Sequence, residues 1–171
     1  VSSHAMSFGR VNGITFDVAV FTNLTQDHLD FHGTMTDYYA AKRRLFDRCD
    51  TAVVCIDDEW GRLLAADLAH AVTYSLANPV ADWYAAGSQP AGAGSRFDLH
   101  GAPDRVTVAE VGLPGDFNIA NAVGAIATAD VLGVSWTEAA IGVAACVGVP
   151  GRMQPVANDR GLRAFVDYAH T

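Results

Sequence analysis

Residues 21–46 read FTNLTQDHLDFHGTMTDYYAAKRRLF, and this stretch decides how the rest of the chain is interpreted. An apolar strand is predicted at residues 17–22, directly before a polar loop, and a helix is predicted at residues 36–48. Ligands of open α/β sheets collect beyond the carboxyl ends of the strands, so the loop falls where a functional site is expected. The polar residues of this loop include Thr22, Asn23, Asp27, His28 and Asp30.

The periodicity of the whole chain predicts an α/β fold with a mainly parallel sheet flanked by helices and a small antiparallel β subdomain. A strand at residues 51–56, a helix at 58–69 and a strand at 71–75 imply parallel pairing, because the helix supplies the crossover. Glycines between residues 78 and 114 separate short alternating segments, which is typical of antiparallel hairpins. Helices at residues 116–132 and 136–146 and short strands at 154–157 and 162–167 complete the prediction.

The composition is that of one globular domain of 171 residues. Hydrophobic residues make up 50% and charged residues 18%, which excludes a disordered chain, and no apolar run approaches the ~20 residues of a membrane helix. A net charge of -8 argues against nucleic-acid binding, because clustered Lys and Arg bind phosphate backbones. The three cysteines form no CxxC pair and are expected to be reduced core residues. The amino end resembles no secretory signal, so we predict a cytoplasmic protein.

Residue types alone leave two interpretations open for the polar loop and for the helix after it. Oxygen donors and imidazoles around His28 suit Mg²⁺ or an oriented phosphate, but they also suit a polar turn that caps the next helix. Lys42 lies beside Arg43 and Arg44, which predicts a solvated basic face unless other observations place its side chain inward.

Two later segments carry possible nucleotide contacts. Asn118 and Asn121 lie three residues apart on one helical face, and their amides suit the edge of an adenine ring. Capping of the same helix by Asp116 explains the segment equally well. Arg152 follows a Pro-Gly turn, where a guanidinium suits a phosphate, although an exposed arginine needs no ligand.

Six segments, taken together and in this order, resemble the Mur ligase family, and within it the ligases that add the third residue of the peptidoglycan stem peptide. They are VSSHA at 1–5, FTNLTQDHLDFH at 21–32, YYAAKRRLF at 38–46, GDFNIANA at 115–122, PGRM at 150–153 and VDYAHT at 166–171. The most specific piece is TNLTQDHLDFH followed by AAK. The resemblance covers nearly the whole chain.

The resemblance implies a role for each matching residue. His28 and Lys42 would be catalytic and would bind Mg²⁺, Lys42 after its amine has been converted to a carbamate by CO₂. Carbamylation turns a cation into an anion, which makes metal binding by Lys42 physically reasonable. The residues that would bind ATP are Asn118, Asn121, Arg152 and Asp167, and those that would bind the UDP-N-acetylmuramoyl-dipeptide are Ser3, Arg10 and Asn23.

The resemblance also implies the reaction, with ATP and Mg²⁺ as cofactors. The dipeptide carboxylate would attack the γ-phosphate of ATP, giving an acyl phosphate and ADP. The amine of meso-diaminopimelate or L-lysine would then attack the acyl carbon and displace phosphate, in a monomeric enzyme. The family's glycine-rich P-loop has no counterpart in this sequence. We therefore expect residues 1–157 to be a central domain without its P-loop portion and residues 158–171 to be a hinge and the first strand of a further domain. Such a chain would be inactive alone.

Two other function classes stay open at this stage. A metal-dependent hydrolase would use the side chains of His4, His28, His32 and Asp27 around a metal-bound water. A non-catalytic fragment would bind a UDP-sugar without consuming ATP. The first class predicts a zinc site with an open water position, and the second predicts binding without turnover.

Overall fold

The computed structural model describes residues 1–27, 29–146, 148–162 and 164–168. Its strands are β1 (Phe16–Phe21), β2 (Cys49–Cys55), β3 (Ala71–Ser75), β4 (Trp83–Ala91), β5 (Gly94–Gly101), β6 (Arg105–Val111), β7 (Gln154–Pro155) and β8 (Phe165–Val166). Its helices are α1 (Ser3–Ser7), α2 (Leu29–His32), α3 (Met35–Arg43), α4 (Glu59–Asp67), α5 (Asp116–Val131) and α6 (Trp136–Ala144). No helix in these described ranges is both long enough and apolar enough to cross a membrane.

The predicted fold class is confirmed. Strands β1 to β6 form one sheet in sequence order, parallel from β1 to β4 and antiparallel from β4 to β6. The antiparallel hairpins continue the main sheet, because the last two residues of β3 pair with the first two of β4. The short strands β7 and β8 form a separate antiparallel pair.

The core lies on both faces of the sheet. Val53 and Val54 are consecutive in β2, and both are fully buried. Because side chains alternate between the two faces of a strand, their burial shows that both faces of the sheet are covered. Val53 packs in a cluster with residues of α5 and α6, and Val54 packs with residues of α3 and α4. Helix α5 approaches closely at Gly124, where a Cβ atom would lie 2.7 Å from the Tyr74 ring. The carboxyl end of β1 therefore lies between α3 and α5.

The observed helix α3 is shorter than the helix predicted at residues 36–48, and it begins one residue earlier. Thr34 caps α3, since its side-chain oxygen accepts a hydrogen bond from the Asp37 N–H at 3.1 Å. The helix ends at Arg43, and a 3₁₀ turn covers Phe46–Arg48. Phe46 is buried, and its ring centroid lies 6.2 Å from that of Phe21. Packing of this ring in the core therefore favours the end of the α-helix before Phe46.

The expectation that all three cysteines are core residues is wrong for Cys146, which is exposed beyond the end of α6. Cys49 is half-buried and Cys55 is buried. Burial is the main cause that raises the pKa of the Cys55 thiol to about 12, from an ordinary value of 9.0. The Cys55 Sγ also donates to an Asp57 carboxylate oxygen at 3.4 Å.

The three thiols should therefore differ in reactivity toward a disulfide reagent. Because the thiolate is the nucleophile, a pKa about three units higher leaves roughly a thousandfold less thiolate at pH 8. We expect Cys146 to react first and Cys55 to react last, as measured by mass spectrometry after timed labelling. All three should react at similar rates in denaturant. Labelling of Cys55 as fast as Cys146 in the folded protein would contradict the burial of its sulfur.

Candidate active site

The Lys42 side chain points into the fold at the carboxyl end of β1. Its Nζ donates a hydrogen bond to the Asn23 carbonyl oxygen at 3.4 Å and lies 5.3 Å from the ring centroid of Tyr38 and 5.9 Å from that of Phe21. The neighbouring Arg43 instead forms a surface ion pair with Asp47 at 2.9 Å. The basic run is therefore not one solvated face.

The surroundings of Lys42 change the chemistry of its amine. Burial lowers the pKa of Lys42, and the negative charges of Asp58 and Asp27 oppose this effect without overcoming it. A lower pKa leaves more neutral amine at neutral pH, and only the neutral amine adds to CO₂. Lys42 is also the only lysine among the 171 residues, so any reaction of a lysine amine in this chain takes place at this position.

Two cavities meet at the end of β1. The first, of about 220 Å³, is lined by Lys42 and Ser3, and the second, of about 450 Å³, is lined by Asn121 of α5. Val20 and Thr22 line both cavities. The structure thus gathers three of the predicted site residues around one strand end.

Ser3 is held by its neighbours. Its side chain is buried, and its Oγ lies 2.9 Å from the Nε2 of His32, whose ring stacks on Tyr38 at 4.9 Å. Ser2 is exposed and caps α1 by accepting a hydrogen bond from the Ala5 N–H. Substrate contact by the Ser3 hydroxyl stays a prediction.

The first turn of α5 separates the two asparagines. Asn118 is buried, and its Nδ2 donates to the Pro114 carbonyl oxygen at 2.8 Å, while Asn121 is exposed to the larger cavity. The N-cap residue is Gly115, with a φ of 99°, and Asp116 is the first residue of the helix. Capping by the Asp116 side chain, which the sequence left open, is therefore not what begins α5.

Residues 1–129 match the family described as Mur ligase middle domain. The chain belongs to the Mur ligase family.

Relatives of this Mur ligase domain are similar over its whole length. It is 45% identical, over 177 residues, to UDP-N-acetylmuramoyl-L-alanyl-D-glutamate–2,6-diaminopimelate ligase of Corynebacterium glutamicum, covering 99% of this chain and 34% of the relative. It is 42% identical, over 171 residues, to UDP-N-acetylmuramyl-tripeptide synthetase of Deinococcus radiodurans, covering 99% and 35%. A solved diaminopimelate ligase structure matches with a TM-score of 0.83 and 35% identity, covering 93% of this chain and 34% of that chain. The chain spans about a third of the length of the curated relatives it matches.

Arg152 and Asp167 lie beyond the matched residues 1–129 and contact each other. The Arg152 Nη1 and an Asp167 carboxylate oxygen are 3.9 Å apart, and the Tyr168 N–H donates to the Gly151 carbonyl oxygen at 2.9 Å. Among the described residues, neither cavity at the end of β1 is lined by this pair. Their predicted contacts with ATP stay predictions.

Arg10 and Asn23 are both exposed, and their predicted substrate contacts also stay predictions. The Arg10 guanidinium lies 5.5 Å from the ring centroid of Phe8. The backbone oxygen of Asn23, not its side chain, accepts the hydrogen bond from the Lys42 Nζ. Of the remaining predicted site residues, His28 lies outside the described residues, so its pairing with Lys42 is untested.

Sequence reasoning did not single out Asp58, whose negative charge acts on Lys42. Asp58 caps α4 by accepting from the Gly61 N–H at 2.6 Å, and its other carboxylate oxygen accepts from the Leu24 N–H at 2.8 Å. An aspartate at a strand-to-helix junction predicts the cap. Nothing local predicts the second partner, which lies 34 residues away in the chain.

Proposed function

We propose that this chain is the central domain of an ATP-dependent ligase of peptidoglycan synthesis. The ligase would join a diamino acid to UDP-N-acetylmuramoyl-L-alanyl-D-glutamate through an acyl phosphate. The observation that carries the proposal is the single lysine, half-buried at the end of β1 with a lowered pKa, in a chain of the Mur ligase family. The name of the Corynebacterium glutamicum relative supports diaminopimelate over lysine as the incoming residue.

The proposal extends to domain organisation and location. We infer that residues 1–157 belong to the central domain, that residues 158–171 form a hinge and the first strand of a further domain, and that turnover needs the P-loop and that further domain as well as these residues. A chain of about a third of the relatives' length supports this inference. The enzyme would work as a monomer in the cytoplasm, where ATP is available.

The residues around Lys42 fit a magnesium ion. Mg²⁺ prefers oxygen ligands and usually takes one or two carboxylates while phosphates and water fill its other positions. The negative charges of the Asp27 and Asp58 carboxylates act on Lys42, so oxygen donors lie near its amine. The residues that would hold it are Lys42 as a carbamate and His28.

The chain's own residues have defined tasks in this proposal. Bound ATP with Mg²⁺ supplies the phosphoryl group that activates the dipeptide carboxylate. The Phe21 and Tyr38 rings and the Asn23 carbonyl hold the Lys42 amine in one place and limit its hydration. Asn121 would contact the adenine from the larger cavity, and Arg152 would neutralise charge on the phosphates.

The hydrolase alternative is not favoured. His4 packs against Phe31, with ring centroids 4.2 Å apart, and His32 bonds Ser3 and stacks on Tyr38. These two imidazoles therefore take part in an aromatic cluster beside α1. Binding of a UDP-sugar without ATP consumption would distinguish the non-catalytic alternative.

Carbamate formation at Lys42 tests the proposal. We expect the chain, equilibrated with ¹³C-bicarbonate and MgCl₂ near neutral pH, to show a carbamate signal by ¹³C NMR that is absent from Lys42→Arg. The α-amine at the amino terminus of the expressed protein is the same in both and serves as an internal control. Identical spectra of the two proteins would contradict the proposed role of Lys42.

A further inference from the structure

The two carboxylate oxygens of Asp58 serve two distant parts of the chain. Oδ1 accepts from the Gly61 N–H at 2.6 Å and so begins α4. Oδ2 accepts from the Leu24 N–H at 2.8 Å, in the segment that follows β1. Hydrogen bonds with a charged acceptor are stronger than neutral ones, so this carboxylate is a firm link between the two segments.

Asp58 reaches Leu24 because α4 begins very close to the end of β2. A Cβ atom on Gly61 would lie 1.8 Å from the Cys55 carbonyl oxygen, so only glycine permits this approach. Leu64, one turn later, is fully buried and lies in the same core cluster as Leu24, which is 4% exposed. The start of α4 and the segment after β1 are therefore held against one core.

The bond from Leu24 to Asp58 acts on the peptide group that faces Lys42. The Leu24 N–H and the Asn23 carbonyl belong to the same planar peptide unit, and in a trans unit they point in opposite directions. The N–H donates to Asp58, and the carbonyl oxygen accepts from the Lys42 Nζ at 3.4 Å. Rotation of this unit would turn its N–H toward the ammonium group, placing one donor against another.

We propose that Asp58 is a positioning residue for Lys42: it fixes the peptide unit between Asn23 and Leu24 so that the carbonyl oxygen faces the lysine amine. The geometry does not depend on the chemistry that Lys42 performs. Its importance for catalysis rests on the proposed function. Asp58 itself contacts neither ATP nor substrate in this proposal.

The substitution Asp58→Asn separates capping from positioning. Asparagine is a good N-cap, so one oxygen still serves Gly61, but its amide group places N–H donors where Leu24 needs an acceptor. Asp57→Asn is the matched control. The Asp57 carboxylate accepts from the Leu76 N–H at 2.9 Å and from the Ser75 hydroxyl, and so serves β3 instead of the segment after β1.

The test measures amide hydrogen exchange at Leu24 and the ¹³Cε NMR signal of the only lysine, at one pH and without nucleotide. We expect Leu24 exchange to rise at least tenfold in Asp58→Asn and not in Asp57→Asn. The Lys42 signal should move in Asp58→Asn, and not in Asp57→Asn, also at about 1 M NaCl, where a Debye length of about 3 Å screens the direct effect of the lost Asp58 charge. An unmoved Lys42 signal at that salt concentration would overturn the positioning role. Unchanged Leu24 exchange in Asp58→Asn would overturn the proposal. Equal changes in both variants would also overturn it, since they would report general loosening. Neither readout needs carbamate, so its absence from the wild-type chain would count against the proposed function alone.

Discussion

Replacement of Lys42 by alanine in a full-length ligase that contains this domain is expected to lower turnover at least a thousandfold, or by about 4 kcal/mol of transition-state stabilisation. Lys42 carries the only lysine amine of the chain, the group that would bind the metal as a carbamate, and alanine removes it. Lys42→Arg keeps a positive charge but cannot form a stable carbamate, so it should be equally inactive. Steady-state release of ADP with the dipeptide and diaminopimelate measures the effect.

Arg44→Ala is the control for this loss. Arg44 is an exposed cation two residues along the same basic run, outside both cavities at the end of β1. Its removal should change turnover less than twofold. If Lys42→Ala retained more than a tenth of the wild-type turnover, the carbamate role would be wrong even though the fold assignment would stand.

Gly61→Ala is expected to be the most destabilising single-methyl change in the first turn of α4, by more than about 3 kcal/mol in the free energy of unfolding. The new Cβ would lie 1.8 Å from the Cys55 carbonyl oxygen, which is backbone and cannot move aside as a side chain can. Relief requires α4 to shift away from β2, and the shift would carry Asp58 away from Leu24. Urea unfolding followed by circular dichroism measures the change.

Gly142→Ala makes the same change within another helix and is expected to change the free energy of unfolding in the opposite direction. Gly142 also lies within a helix, α6, but a Cβ there would meet no atom within 4 Å. Alanine should therefore stabilise the protein by about 0.5–1 kcal/mol, because it restricts the unfolded chain and favours helix. Gly61→Ala with an unfolding free energy close to that of the wild type would show that α4 does not approach β2 as described.

The regular elements of the fold follow from local signals. The strand predicted at residues 71–75 is β3 as observed, and the helix predicted at 116–132 is α5 to within one residue. These segments have clear periodicity and turn residues at their ends, so short-range preferences and burial agree. The predicted carboxyl end of the helix at 36–48 is wrong, because a long-range contact of Phe46 with Phe21 outweighs the local helix preference.

The candidate site was only partly predictable for the same reason. The residue types of Lys42, Asn118 and Asn121 marked them as candidates, but their surroundings depend on segments far away in sequence. Asn118 is buried against a backbone carbonyl, whereas Asn121 faces a cavity, although both lie on one helix. No sequence signal distinguishes them, because the difference arises from the elements packed on α5.

The sequence alone determined the class of fold, the order of most elements and the family, because periodicity, capping residues and short motifs are local properties of the chain. Only the tertiary structure decided that the Lys42 amine is half-buried between two aromatic rings and that its pKa is lowered. It also decided that Asp58 holds the peptide unit opposite that amine. Lys42 and Asn23 are 19 residues apart in the chain, and Leu24 and Asp58 are 34 residues apart. These contacts, and the burial that goes with them, form only when the sheet and its helices pack together.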